Sequence, residues 1–117
     1  MLAQDFIDFV TFTGLKDQVG ADFVIELIDA YNTETGELIE RLRQALSDQD
    51  AAAFGRLAHS IKSSSASLGA LAFSQQAREL EMLGKANNLS NAEPKVEQLA
   101  SDFVQVKHRL EELKNEP

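Results

Sequence analysis

Residues 54 to 70, Phe54-Gly-Arg-Leu-Ala-His59-Ser-Ile-Lys62-Ser-Ser-Ser-Ala-Ser-Leu68-Gly69-Ala70, hold one of the two histidines of the chain. On a helix advancing about 100° per residue, Phe54, Leu57, Ala58, Ile61, Ser65 and Leu68 fall within about 45° of one line, a stripe suited to burial. His59 lies about 140° from that line and points outward. The residues sharing its face are Gly55, Ser63, Ala66 and Ala70, all small, where a solvated helix face normally carries Glu, Lys, Gln or Arg. Lys62 stands one turn on, at i+3, close enough to place its ammonium beside anything attached to the ring. An imidazole displayed in this way can take a phosphoryl group from a protein that approaches the bare face, with the ammonium there to meet the phosphoryl oxygens. The same residues also suit an ordinary surface histidine in a flexible Ser-rich linker, although the apolar period runs unbroken from Phe54 to Leu68.

If this helix turns back at Gly69-Ala70, residues equally far from the turn sit at similar height on two antiparallel helices. Glu81 then comes opposite His59, placed to accept a hydrogen bond from the ring and fix its tautomer. Arg78 falls near the height of Lys62, and Lys85 near that of Gly55. All four charged residues also fit as solvated charges, with Glu81 pairing to Arg78 at i+3 or Lys85 at i+4. Ser65, on the apolar stripe, reads as buried and bonded to the carbonyl one turn back. His108, between Lys107 and Arg109, reads as a surface residue.

The elements that must hold these groups are helical throughout. Leu2, Phe6, Phe9 and Val10 have helical spacing, a short segment across the end of a bundle that stops near Gly14, with Gly14 and Gly20 bracketing a loose turn. A long helix follows, its period carried by Phe23, Val24, Leu27, Ile28, Tyr31, Leu38, Ile39, Leu42 and Leu46. Asn32 to Gly36, poor helix formers, are a place where it can bend, with Thr35 a buried member. Ser47 to Asp50 reads as a turn, Asp50 capping the helix that begins at Ala51. Leu71 to Ala86 forms the next helix, with Phe73, Ala77, Leu80 and Gly84 on one face and Leu83 at its margin. After an Asn- and Ser-rich connection, Pro94 suits a first helical turn. Val96, Leu99, Phe103, Val106, Leu110 and Leu113 then keep a two-in-seven seam. No period-2 alternation appears, so the expected class is all-α: an antiparallel up-down four-helix bundle with a short extra N-terminal helix.

With 117 residues, 44% hydrophobic and 26% charged, the chain reads as one soluble domain, residues 1–117, with a single core. Without cysteine it has no disulfide, thiolate nucleophile or Cys-based metal site. A net charge of −8 repels nucleic acid and anionic membranes. Neither a signal-like start nor a run of apolar residues of membrane-spanning length is present, so the expected location is the cytoplasm, whether the protein is free-standing or the end of a larger one. No Gly-rich phosphate loop, Walker motif or HExxH points to an enzyme. A di-iron bundle fails on its ligands, because Arg56 and Gln105 stand where Glu would precede each histidine by three.

The run His59-Ser-Ile-Lys62-Ser63-Ser64-Ser65-Ala66-Ser67-Leu68-Gly69 resembles the signature of histidine-containing phosphotransfer (HPt) domains, helical modules that pass phosphoryl groups between receiver domains in two-component phosphorelays. That signature is a histidine, two residues, lysine, glycine, two serines, a few mostly small residues, leucine and glycine; here Ser63 replaces the first glycine. The order and lengths of the elements resemble the family as well. The resemblance implies that His59 accepts a phosphoryl group from a receiver aspartate and passes it to another receiver. Lys62 and Glu81 would support the ring, and Gly55, Ser63, Ala66, Ala70, Arg78 and Lys85 would lie where the receiver docks. It further implies a monomeric carrier without kinase or ATPase activity of its own and without a cofactor, Mg²⁺ being brought by the receiver. The partners implied are receiver domains and a hybrid sensor histidine kinase. An HPt-shaped module that binds a receiver or kinase without carrying phosphate is the alternative.

Overall fold

The computed structural model describes residues 6–116, and these form five helices: α1 (Phe9–Val19), α2 (Ala21–Ser47), α3 (Ala51–Ser67), α4 (Leu71–Lys85) and α5 (Ala92–Lys114). No strand occurs among the described residues. Helices α2 to α5 form a ring in which α3 packs on α2 and α4, and α5 closes against α2 and α4. Cross-helix pairs fix the directions. Asn32 Nδ2 meets Glu111 Oε1 at 3.0 Å and Arg43 Nη2 meets Glu97 Oε1 at 2.9 Å, so α2 and α5 run antiparallel. Gln76 Nε2 on Asp102 Oδ2 at 2.6 Å and Lys95 Nζ near Glu79 at 3.5 Å show the same for α4 and α5. The architecture is the expected up-down four-helix bundle with an added N-terminal helix.

Burial follows the helical period. Val24, Ile28, Tyr31, Thr35, Ile39 and Leu42 of α2 are buried, as is the entire α5 seam from Val96 to Leu113. The α2 helix continues through Asn32 to Gly36, with Asn32 and Thr35 buried in it. Asp50 caps α3 by accepting from the Ala53 amide at 3.1 Å. The Ser65 hydroxyl, fully buried, meets the Tyr31 hydroxyl on α2 at 2.7 Å, in place of the carbonyl one turn back that the sequence suggests. A tyrosine reaching across from α2 gives that hydroxyl a better partner than a carbonyl already bonded within its helix. Burial pushes the Tyr31 phenol up to about 12, against the opposing hydrogen bonds to Ser65 and Thr35.

The N-terminal helix departs from expectation. It begins at Phe9, runs through Gly14 and ends at Val19, with Gly20 at φ 93° making the junction to α2. Asp8 starts it, its carboxylate accepting from the Thr11 amide at 3.0 Å and the Thr11 hydroxyl at 2.6 Å. Phe12 is the residue it buries, while Phe9 and Val10 face solvent, 61% and 79% exposed. Leu2 lies outside the described residues. At the α3–α4 turn the start of this helix meets Gly69: the Asp8 amide donates to the Gly69 carbonyl at 2.7 Å. Gly69 has φ 91°, and a Cβ there would come 2.9 Å from the Asp8 carbonyl oxygen, so glycine is needed on both counts.

Candidate functional site

The site straddles the outer seam of α3 and α4. Three connecting residues, Leu68 to Ala70, fold α4 back along α3, and His59 and Glu81 come level on the two helices. The His59 side chain is 57% exposed. Its Nδ1 lies 2.6 Å from Glu81 Oε2, and the other carboxylate oxygen, Oε1, accepts from Lys62 Nζ at 2.6 Å. Lys85 Nζ stands 3.4 Å from Oε2, so one carboxylate binds three side chains. Glu81 itself is buried, its side chain 4% exposed. A carboxylate out of water in this position needs compensating partners to stay ionised. The hydrogen bond from Lys62 holds its carboxyl down to about 2 against the opposing effect of burial, with His59 and Lys85 adding to it.

This geometry assigns the ring nitrogens. An ionised carboxylate can only accept, so Nδ1 carries the proton and donates it to Glu81, leaving Nε2 with a free lone pair on the outer edge of the ring. Beside the ring is a hollow of about 590 Å³ lined by Gly55, Arg56, His59, Lys62, Glu81 and Lys85, among others. With His59 neutral, Arg56, Lys62 and Lys85 against Glu81 leave an excess of cations here, on a chain whose net charge is −8. Such a hollow favours an anionic group at Nε2.

The residues expected from sequence divide. His59, Lys62, Glu81 and Lys85 are brought together. Ser63 is exposed and Ala66 half-buried on α3. Arg78 is exposed on α4 and stands outside the hollow. Two expectations need correction. Gly55 is not on an open face: it is buried against α4, where its backbone meets that of Gly84, and it contributes only the floor of the hollow. Ala70 is fully buried, because the left-handed turn at Gly69 breaks the helical phase that would place it beside His59. Two further side chains belong to the site. Arg56, three residues before His59, lines the hollow. Ser74 donates its hydroxyl to the Lys62 carbonyl at 2.8 Å, tying the first turn of α4 to the backbone of the lysine. Arg56 is readable as a cation one turn from the histidine; nothing in the sequence marks Ser74.

Among the described residues no group of three His, Asp or Glu side chains converges as a metal site would. No helix of the described residues is long and apolar enough to cross a membrane.

The family described as the Hpt domain matches residues 26–116. The fold is similar to the crystal structure of histidine-containing phosphotransfer protein B (HptB) from Pseudomonas aeruginosa PAO1, with a TM-score of 0.89 and 26% identity, over 93% of this chain and 94% of that one. Among curated proteins, none matches the chain at a significant level. A family match running from the first turns of α2 to beyond the end of α5 takes in the histidine, its carboxylate and all four helices of the bundle, and the chain accordingly belongs to the Hpt domain family.

Proposed function

We propose that His59 Nε2 is the atom that carries the phosphoryl group in a phosphorelay. The supporting observation is the His59–Glu81 contact, which leaves the outer nitrogen unprotonated beside the hollow. In the forward step Nε2 attacks the phosphorus of an aspartyl phosphate on a receiver domain. The Nε2–P bond forms, the bond from phosphorus to the aspartyl oxygen breaks, and the aspartate leaves as a carboxylate. The Nδ1 proton stays in its hydrogen bond to Glu81, whose negative charge balances the positive charge the ring gains. Lys62 is within reach to neutralise the phosphoryl oxygens, and Lys85 and Arg56 add to the field. Reversal of the same step onto a second receiver completes the relay.

On this reading the protein is a carrier with no kinase or ATPase activity, and catalysis consists of positioning and charge. The site's one carboxylate is engaged by three side chains, and on this reading the Mg²⁺ that phosphoryl transfer uses is brought by the receiver. The partners are receiver domains and a hybrid sensor kinase that carries one; nucleic acid and membranes are disfavoured by the charge of −8. The protein acts as a monomer in the cytoplasm, as one domain.

Incubation with a phosphorylated receiver tests this. Acid-labile, base-stable label should appear on the wild type and be absent from His59→Gln. Label that persists in the variant removes His59 from the mechanism. A wild type that binds the receiver yet never takes label is an interaction module only.

A further inference from the structure

On one side of the His59–Glu81 pair, α3 and α4 come very close. Gly55 lies one turn before His59 on α3, and Gly84 lies one turn after Glu81 on α4; the two glycines face each other backbone to backbone. The two positions are not equivalent. A Cβ on Gly55 would find ordinary contacts, 3.7 Å to the Glu81 carbonyl oxygen and 3.7 Å to Gly84. A Cβ on Gly84 would come 2.7 Å from both Cα and N of Gly55 and 2.9 Å from the Ala51 carbonyl oxygen. All three are backbone atoms within α3, so no side-chain rotation relieves the overlap and one helix must move.

We infer that Gly84 is a positioning residue for phosphoryl transfer, its missing side chain setting the α3–α4 spacing at which Glu81 holds the His59 Nδ1 proton and keeps Nε2 as the acceptor. The inference rests on the reading of His59 as the phosphoryl carrier. A shift of α4 sufficient to clear an added methyl is comparable with the whole slack of the contact. The His59–Glu81 separation is 2.6 Å, and hydrogen bonds weaken beyond about 3.2 Å. Without the carboxylate the neutral ring is free to protonate Nε2, and that tautomer has no lone pair on its outer edge. Glu81 does not sit at a frayed end: α4 continues past it to Lys85, so its backbone moves with the helix and cannot follow His59 independently.

The test compares Gly84→Ala with Gly55→Ala, which add the same methyl to opposite sides of one contact. Nitrogen NMR of the neutral His59 ring reads the tautomer without any phosphoryl donor. Gly55→Ala, whose methyl meets only ordinary contacts, should keep the Nδ1–H form. Gly84→Ala should gain the Nε2–H form and lose about tenfold or more in transfer rate, as misplacements of about 1 Å do. A folded Gly84→Ala with wild-type tautomer and rate overturns the inference. If Gly84→Ala does not fold, Gly55→Val carries the test under the same readouts, because its branch carbons must find room against α4 backbone only 3.7 Å from the first carbon. Wild-type readings from that variant overturn it equally. The two readings separate cleanly: a wild type that shows the Nδ1–H form but takes no label refutes the carrier function and leaves the positioning intact.

Discussion

Lys62 Nζ rests 2.6 Å from Glu81 Oε1, so the ammonium expected to meet a phosphoryl group is engaged by a buried carboxylate before one arrives. The same carboxylate holds the ring on its other oxygen. Glu81 therefore orders both the ring and the ammonium. On the proposed reading, a phosphoryl group on Nε2 would compete with Glu81 for the lysine, and sharing of the ammonium between the two anions would keep the cation close.

Lys62→Ala removes that cation and the largest influence on the carboxyl. Transfer to His59 should slow by about tenfold or more, the worth of a charge-assisted hydrogen bond. The Glu81 carboxyl should rise from about 2 toward 4.5, read by carbon NMR of the side chain. A wild-type rate together with an unmoved carboxyl would assign the lysine to solubility alone.

Glu81 also predicts an acid dependence. Its folded carboxyl is depressed, so the stability it contributes is present above the ordinary value of 4.5 and is lost as pH falls toward about 2. The shift corresponds to at most about 3 kcal/mol. Glu81→Gln has no such proton to take up. The stability difference between wild type and Glu81→Gln, from denaturant melts across this range, should shrink as pH falls; a constant difference would contradict the linkage.

The buried hydroxyl pair offers a control away from the chemistry. Tyr31→Phe leaves the Ser65 hydroxyl without its partner and should cost about 1–2 kcal/mol, while phosphoryl transfer stays at the wild-type rate. Adding Ser65→Ala to Tyr31→Phe should recover part of the loss, because neither hydroxyl is then stranded. Additive losses would show that the two groups do not act as a pair.

Ser63 is exposed one turn beyond His59, on the side away from the Gly55–Gly84 contact. Ser63→Arg should slow transfer from a receiver while changing stability by no more than about 0.5 kcal/mol. An unchanged rate would place the docking surface elsewhere around the ring.

Much of this arrangement is legible in residue order. The α5 seam, with its alternating threes and fours, needs no tertiary information to identify Val96 through Leu113 as core. Glu81 can be found by counting out from Gly69 because antiparallel helices joined by a short turn keep register. The same counting misleads at Ala70, where one residue with positive φ resets the phase. At α1 Gly14 reads as a break, yet a single glycine costs a helix only about 1 kcal/mol, and packing of Phe12 on the bundle offsets it. The start signal there is Asp8, three residues before Thr11. On a helical wheel Gly84 is one more member of an apolar face; that its neighbour across the contact is another glycine depends on how the helices cross, which a single wheel does not contain.

The grip of Asp8 on Gly69 has a mechanical consequence. The hydrogen bond from the Asp8 amide to the Gly69 carbonyl ties the bend of the α3–α4 hairpin to the first turn of α1. Amide hydrogens beside the bend should then exchange most slowly, and the ring of His59 sits partway along a lever whose fulcrum is fixed. A docking partner would then meet a ring that Glu81 already orients before the encounter.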